Sequence, residues 1–519
     1  MSRLRPFLRP LVIVPLVAIA TGAAFASGML YERDVARARD EWGEARLLST
    51  AIDSVRVNAL DSLPGEELIR RAVSGMLREL QDPYAAMLST DGFEQYRGTL
   101  QGTGRGLGIA IRRDGASHRI TRVAEGSPAL MAGVRAGDRI LAVNGVPVAA
   151  TATAGVFDTD SARAPASQVV LTLWRAPHGD TVRVAVPRTA WHMPAVAEHG
   201  LLIDSIGYVR LSTISARSAD ELENQVEELL RRGAQSLVLD LRGNTGGLFE
   251  EGVRAASLFL PRGAIVSSLV GRGNTDVQPY RARQSRWTEL PLTVLVDGRT
   301  ASAAEVIAAA LQDHGRALLV GSPTYGKGLV QRVVRLSSDI AIRLTTARWL
   351  TPRGVALERR TGKGAAAHGG IEPDVLLDYA ARHDPYSVPS GWSDVTARSA
   401  SVAADSLAML ALRERWPTRP LSLLEEHFAD SLSAMTPATI RAADARAEWI
   451  TVATRHAVLR VLEVERAPEA LLRYAARDDA AVRAGIDVVA PGAELTRVTP
   501  QPLPQPLSVP SGRRAQPRP

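Results

Sequence analysis

The sequence predicts an α/β protein in several parts: a small helical region, a β-rich module, an α/β core and a helical C-terminal region. Three observations carry this. From residue 96 to about 190 the chain is glycine-punctuated, with short strand-like runs. From 200 onward apolar runs alternate with helical patterns: SLVLDLR (236–242), LTVLV (292–296) and ALLVG (317–321). Residues 395–495 are rich in alanine, arginine and leucine and read as helices. Near-continuous apolar strands between helices imply a parallel or mixed sheet covered on both faces. At 519 residues the chain exceeds what one core holds.

The elements follow in order. Three arginines in MSRLRPFLRP precede LVIVPLVAIATGAAFASGMLY, about 20 uncharged, mainly apolar residues that suit a secretory signal or a membrane anchor. Ala24-Phe25-Ala26 resembles a cleavage site, while the apolar run continues to Tyr31 and favours a retained anchor. The arginines favour a cytoplasmic N-terminus with the remainder exported. Residues 32–95 form a helical region, with apolar residues at helical spacing in 67-ELIRRAVSGMLREL-80. Short strands, a brief alanine-rich helix and an Asn144-Gly145 turn make 96–190 a compact β-rich module. The α/β core then spans 191–380 and the helical region 381–495. The proline-rich end, 496–519, reads as disordered.

Composition excludes several chemistries. There is no cysteine, so disulfides, thiolate metal sites and cysteine nucleophiles are absent. The formal charge of +7 comes without a helix-turn-helix, zinc-finger or RNP-like pattern, which points to a dispersed basic surface rather than a nucleic-acid interface. Lys327 and Lys363 are the only lysines among 62 cationic residues. Arginine stays protonated at any relevant pH, whereas a desolvated lysine can lose its proton. A chain that retains so few lysines invites the question of what each one does.

One stretch, 299-RTASAAEVIAAALQDHG-315, places a serine at a helix start and a histidine at its end. A helix from Ser302 to Asp313 sets His314 roughly 18 Å from Ser302, against the ~3 Å a general base requires. His314, just before Gly315, fits a C-terminal cap. Ser302 reads equally as an N-cap or as a nucleophile beside unpaired N–H groups that favour an oxyanion. Small neighbours Ala301, Ala303 and Ala304 would admit a substrate backbone.

The run 321-GSPTYGKGLVQ-331 nearly spells a phosphate-binding loop. However, Gly328 replaces the magnesium-holding Ser/Thr, and the following residues look β-like. The alternative makes Lys327 a buried, neutral general base flanked by glycines. Lys363, in TGKGAAAHGG, reads as a surface residue. Gln331 would reach the Lys327 amine across ~5–6 Å in a helical turn but lie ~13 Å away in an extended strand, so the segment must turn before its strand begins. The loop 243-GNTGG-247 ends a buried strand, where open α/β sheets place their sites. The run 104-GRGLGIAI-111 is either a turn and strand or a loop whose amides capture a peptide carboxylate.

Together these segments resemble the C-terminal processing peptidases, or tail-specific proteases, which are Ser/Lys-dyad enzymes carrying a PDZ domain. The resemblance covers roughly residues 65–380. It rests on 82-DPYAAMLSTDGFEQYRGTLQGTGRGLGIAI-111 and 126-GSPALMAGVRAGDRILAVNGVPV-148 for the PDZ domain. For the catalytic core it rests on 240-DLRGNTGG-247, 300-TASAAEVIAAALQDHGRA-317, 324-TYGKGLVQ-331, 348-RWLTPRG-354 and 369-GGIEPDV-375. Thr245 and Ala304 depart from residues common in the family without removing a catalytic group.

The resemblance implies a crotonase-like peptidase core with an inserted PDZ domain. It implies Ser302 as nucleophile, Lys327 as general base and Gln331 as the residue orienting the lysine. The N–H of Ala303 and of Gly246 or Gly247 would form the oxyanion hole. The PDZ loop around Gly106, Leu107, Gly108 and Ile109 would receive a substrate C-terminus. No metal or other cofactor is implied. The expected partners are proteins with exposed C-termini, together with the membrane through the N-terminal segment and a possible second copy of the chain. The expected location is the extracytoplasmic or periplasmic side of the cell envelope. The rival readings are a non-catalytic PDZ scaffold that binds protein C-termini and a nucleotide-binding protein.

Overall fold

In the computed structural model, residues 43–490 are described apart from 44, 62, 105, 115–116, 125, 149–166, 176–179, 204, 275–276, 359–368, 378–391, 414–420, 441 and 465–467. The expected signal or anchor (1–31), Lys363 and the proline-rich tail lie outside the described residues. Among the described residues no helix is long and apolar enough to cross a membrane. The chain falls into two units, up to Met87 and from Leu88. The first contains helix α1 (Gly65–Glu79), which buries Leu68, Val73 and Leu77 along one stripe. Glu66 and Glu67 in its first turn and Arg78 in its last complement the helix dipole.

The second unit opens with α2 (Thr90–Gln101). The Ser89 hydroxyl oxygen caps it by accepting the N–H of Gly92, and Gly102 ends it at φ +66°. Five strands of a six-stranded antiparallel sheet then run in the order β1 (Ile109–Asp114), β2 (Ser117–Val123), β3 (Arg139–Val143), β4 (Gln168–Arg175) and β5 (Asp180–Pro187), with the short strand Val146–Pro147 paired to β3. In β4 the residues Val169, Leu171 and Leu173 are buried at a period of two. They pack with Ile120, Ile140 and Val186 into a core separate from the larger one. Asn144 and Gly145 turn the chain with positive φ, as the Asn-Gly pair predicts. At the base of this module Thr103–Gly104 pairs with Trp191–His192, so its incoming and outgoing chains meet.

The main sheet runs β6 (Val196–Ile203), β7 (Ile206–Leu211), β8 (Ser236–Asp240), β11 (Leu292–Val296), β12 (Leu318–Gly321) and β15 (Val375–Leu376). The β6–β7 pair is antiparallel and the others are parallel. Every residue of β8 and β11 is buried, because both faces of the sheet are covered. On one face lie α3 (Ser218–Arg231), α4 (Phe249–Ser257) and α5 (Ala303–Asp313), in one cluster with Val209, Leu239 and Val294. On the other, α10 (Ala480–Val489) packs Ala481, Val482 and Val489 with Tyr208, Val238, Leu295 and Val320. A second, antiparallel sheet pairs β14 (Ile340–Leu350) with β13 (Leu329–Arg335) and with β9 (Ile265–Val270), and β9 with β10 (Val277–Arg281).

The C-terminal helices α6 (Asp394–Arg413), α7 (Leu421–Met435) and α8 (Ala443–Val464) share a core around Phe428, Leu432 and Trp449. This bundle also meets the β-rich module: Asp405 of α6 pairs with Arg119 and Arg139 and, at 2.8 Å, with Arg460 of α8. The preceding helix of the α10 arm, α9 (Pro468–Ala476), fastens to the main sheet through Glu469, whose carboxylate accepts the N–H of Leu201 at 2.7 Å.

Candidate active site

Two loops that leave adjacent parallel strands build the site. At the end of β11 the Asp297 carboxylate accepts N–H groups from Arg299 and Thr300 of its own loop, both at 3.0 Å, and from Gly243 of the loop after β8, at 2.9 Å. The Thr300 hydroxyl donates back to the Leu241 carbonyl at 3.0 Å. Asn244 adds a second stitch, its carbonyl accepting the N–H of Ala301 at 2.9 Å.

Ser302 follows at φ 58°, ψ −121°, immediately before α5. An ordinary N-cap sits in the extended region. Ser302 is a cap by position but occupies a region that a residue with a Cβ rarely adopts, in a sharp strand-to-helix turn. Its backbone N–H is held by Glu305 Oε2 at 2.7 Å.

Glu305 is wholly buried and gathers four donors. Oε2 accepts the N–H of Ser302 and that of Lys327, the latter at 2.9 Å. Oε1 accepts the N–H of Gly326 at 2.7 Å and the hydroxyl of Thr324 at 2.6 Å. Burial pushes its carboxyl above the usual range, and the four donors only partly offset this. The Lys327 carbonyl is held in turn by the buried Trp349 indole N–H at 3.0 Å. The two candidate catalytic residues, 25 positions apart, are thus brought together by their backbones.

Gln331 is not in a helical turn: it lies within β13, two residues after the strand starts. A bulge between Val330 and Gln331 shifts the register there, which is the device available to re-aim its side chain. Its amide donates to Thr345 Oγ1 at 3.4 Å. His314 caps the far end of α5, and its Nε2 bonds the Ile265 carbonyl at 2.8 Å.

The two loop glycines play different parts. A Cβ on Gly246 would lie 2.6 Å from the Ala301 carbonyl oxygen and 2.8 Å from the Ala303 nitrogen, so its bare backbone lets the two loops touch. Its own N–H is taken by Asn244 Oδ1 at 2.9 Å. Gly247 bridges to Ile214, but that ladder uses the Gly246 carbonyl and the Leu248 N–H, leaving the Gly247 N–H outside it.

Behind the glycine loop lies a buried ion cluster. Arg242, 1% exposed, donates to Asp240 through Nε at 3.0 Å and Nη2 at 2.7 Å. It donates to Asp479 through Nη1 and Nη2, both at 2.9 Å. Tyr208 adds its hydroxyl to Asp240 at 2.7 Å. Burial alone would raise the Asp240 carboxyl, but the Arg242 charge and these hydrogen bonds outweigh it and hold it below its ordinary range.

In the β-rich module Leu107, Gly108 and Ile109 line a cavity of about 570 Å³ together with Val143, Leu171 and Trp191. The Trp191 indole donates to the Gly106 carbonyl at 2.9 Å, tying this loop to the outgoing chain. Gly108 has φ +77°, and a Cβ there would collide with Ser127 and Trp191.

Asn244, Asp297, Thr300, Thr324, Glu305 and the Asp240–Arg242–Asp479 cluster were not singled out by sequence reasoning. A weak signal existed for Glu305, which stands three residues after Ser302 as in a capping box. Nothing local announces the rest.

The family model described as Peptidase family S41 matches residues 205–377, and that of the PDZ domain matches 119–175. Fold and site therefore define a peptidase core carrying a PDZ domain. The chain is 35% identical over 323 residues to the chloroplastic C-terminal processing peptidase of Tetradesmus obliquus, covering 59% of this chain and 67% of that one. It is 30% identical over 351 residues to the carboxy-terminal-processing protease of Bartonella bacilliformis, covering 66% and 77%. A solved structure titled photosystem II D1 C-terminal processing protease is 30% identical, covers 63% of this chain and 86% of that one, and has a TM-score of 0.39. The protein belongs to the C-terminal processing peptidase family and is a serine peptidase.

Proposed function

We propose that the protein is an endopeptidase of the cell envelope that cleaves protein C-terminal tails with a Ser302/Lys327 dyad, its PDZ domain (96–190) receiving the substrate C-terminus. The peptidase core (191–380) is assigned a crotonase-like fold, a reading supported by its parallel strands and intervening helices. One observation carries the dyad: the N–H groups of Ser302 and Lys327 converge on a single oxygen of Glu305.

In this reading the neutral Lys327 amine takes the Ser302 hydroxyl proton as Oγ attacks the substrate carbonyl carbon. The oxyanion is received by the N–H groups of Ala303, at the start of α5, and Gly247, while Gly246 gives the close approach of the two loops. The Lys327 ammonium then protonates the leaving amine, the C–N bond breaks and an ester to Ser302 remains. Water attacks that ester, giving a proton to Lys327 as it does so; the acid leaves and Ser302 regains its proton. Gln331 orients the amine. The apolar lining of the PDZ cavity suits an apolar C-terminal residue. The envelope assignment rests on the arginines and apolar run of residues 1–31.

The test uses a protein substrate with an unstructured C-terminal tail. Ser302→Ala and Lys327→Ala should abolish cleavage and His314→Ala should not. Retained cleavage in Lys327→Ala with loss in His314→Ala would overturn the dyad. Peptide binding with neither cleavage nor labelling of Ser302 by a fluorophosphonate would leave a binding scaffold.

A further inference from the structure

We propose that Asp479, in the C-terminal helical arm, is a positioning residue for the oxyanion loop and acts through Arg242. The inference rests on the reaction proposed at Ser302 and extends it to a part of the chain beyond the residues matched by the peptidase family.

Arg242 is the residue immediately before 243-GNTGG-247. Three of those five residues are glycines, with φ of +73°, +89° and +154°, so the loop has little side-chain packing to hold its shape. It depends on anchors: Asp297 on the Gly243 N–H, the Asn244 side chain on the Gly246 N–H and the Leu211 carbonyl, and the Arg242 side chain at its root. Asp240 engages only one edge of the guanidinium. The other edge, including Nη1, is held by Asp479, 237 residues away in sequence. Asp479 is itself fixed, because its Oδ1 accepts the N–H groups of Ala481 and Val482 at 3.1 Å as the N-cap of α10.

Removing Asp479 strands part of a guanidinium in a site closed to water. The side chain is then free to rotate toward another acceptor and carry the root of the loop with it. A displacement of about 1 Å in oxyanion donors costs on the order of 100-fold in rate.

A purely structural role must be separated from this one, since Asp479 also docks α10. Gly485 provides the control. A Cβ there would meet Leu295 Cδ2 at 3.0 Å, so Gly485→Ala loosens the same helix without touching Arg242. The full chain is compared as wild type, Asp479→Asn, Asp479→Ser and Gly485→Ala. Asn keeps the shape but turns an amide donor on Arg242; Ser keeps the helix cap but is too short to reach Arg242.

Well below each Tm, both Asp479 variants should lose roughly 10–100-fold in kcat with KM within about 3-fold, while Gly485→Ala keeps kcat within about 2-fold at a comparable Tm loss. Equal kcat losses in Gly485→Ala, or unchanged kcat in the Asp479 variants, would overturn the proposal. Amide hydrogen exchange over 243–247 supplies a readout independent of catalysis. It should quicken in Asp479→Asn and not in Gly485→Ala. If the wild type proves inactive, the dyad reading fails, and unchanged exchange in Asp479→Asn would sink the positioning role separately.

Discussion

Ser302 and Lys327 donate their backbone N–H groups to one and the same carboxylate oxygen, at 2.7 and 2.9 Å. A serine at a helix start and a lysine on a separate loop are thereby fixed to a common point, whatever their side chains do. The carboxyl at that point is buried and its oxygens accept four hydrogen bonds, the arrangement that makes its removal costly.

Glu305→Gln keeps the volume but replaces one acceptor oxygen with an NH₂ group. Turned one way, the NH₂ faces the N–H groups of Ser302 and Lys327; turned the other, it faces the Gly326 N–H, while the Thr324 hydroxyl can rotate to accept. The loss of about 1–3 kcal/mol per unsatisfied group predicts a Tm drop and a fall in kcat of at least 10-fold. Near-normal kcat in a well-folded Glu305→Gln protein would show that the clamp does not set dyad geometry.

Lys327→Arg keeps a long nitrogen-bearing side chain and the backbone contacts to Glu305 and Trp349. It removes the one property the mechanism needs, since guanidinium does not give up its proton. Cleavage should fall to the level of Ser302→Ala at every pH up to 10, with C-terminal peptide binding within about 3-fold of wild type. Isothermal titration and tail-cleavage assays check the two halves.

Gly247→Ala would place a Cβ 1.9 Å from the Ile214 carbonyl oxygen, and φ +154° already disfavours a side chain. The loop must move as a unit. The expected cost is about 100-fold in kcat or more, with slower labelling of Ser302 by a fluorophosphonate. Labelling at the wild-type rate would remove Gly247 from the oxyanion hole.

Acid should unfold the core through Asp240. Its carboxyl is held below the ordinary value of 3.8, so the folded state favours the ionised form. The resulting stabilisation is fully present above that ordinary value and is lost as pH falls through the lower folded one. Urea midpoints from pH 6 to 2.5 should drop more steeply below pH 4 for wild type than for Asp240→Asn, whose weaker fold lacks this titration. Parallel slopes would contradict the assignment.

Much of the fold was legible because it is written locally. Uninterrupted apolar runs gave the doubly covered strands β8 and β11, Asn144-Gly145 gave a turn, and the 302–315 pattern gave α5 with His314 at its far end. The strand after Lys327 was read correctly too. What stayed hidden depends on distant partners. Glu305 reads as a helix-start acid, and nothing nearby tells that Thr324, Gly326 and Lys327 will close on it. Arg242 finds Asp479, 237 residues further along the chain, in a region that read only as alanine-, arginine- and leucine-rich helices. Gln331 shows the limit of spacing arguments: distance along a turn or an extended strand did not anticipate a bulge.

The backbone of Ser302 also has a consequence for how this sequence persists. At φ 58° a glycine is at ease where serine is not, and glycine serves nearly as well as a helix cap. Ser302→Gly should therefore melt at a temperature equal to or above that of the active protein, on the order of 1 kcal/mol more stable, while hydrolysing nothing. Drift toward a sturdier fold and retention of the peptidase pull in opposite directions at this one position. With Ser302 as the proposed nucleophile, activity and not stability is what holds a serine in this backbone conformation.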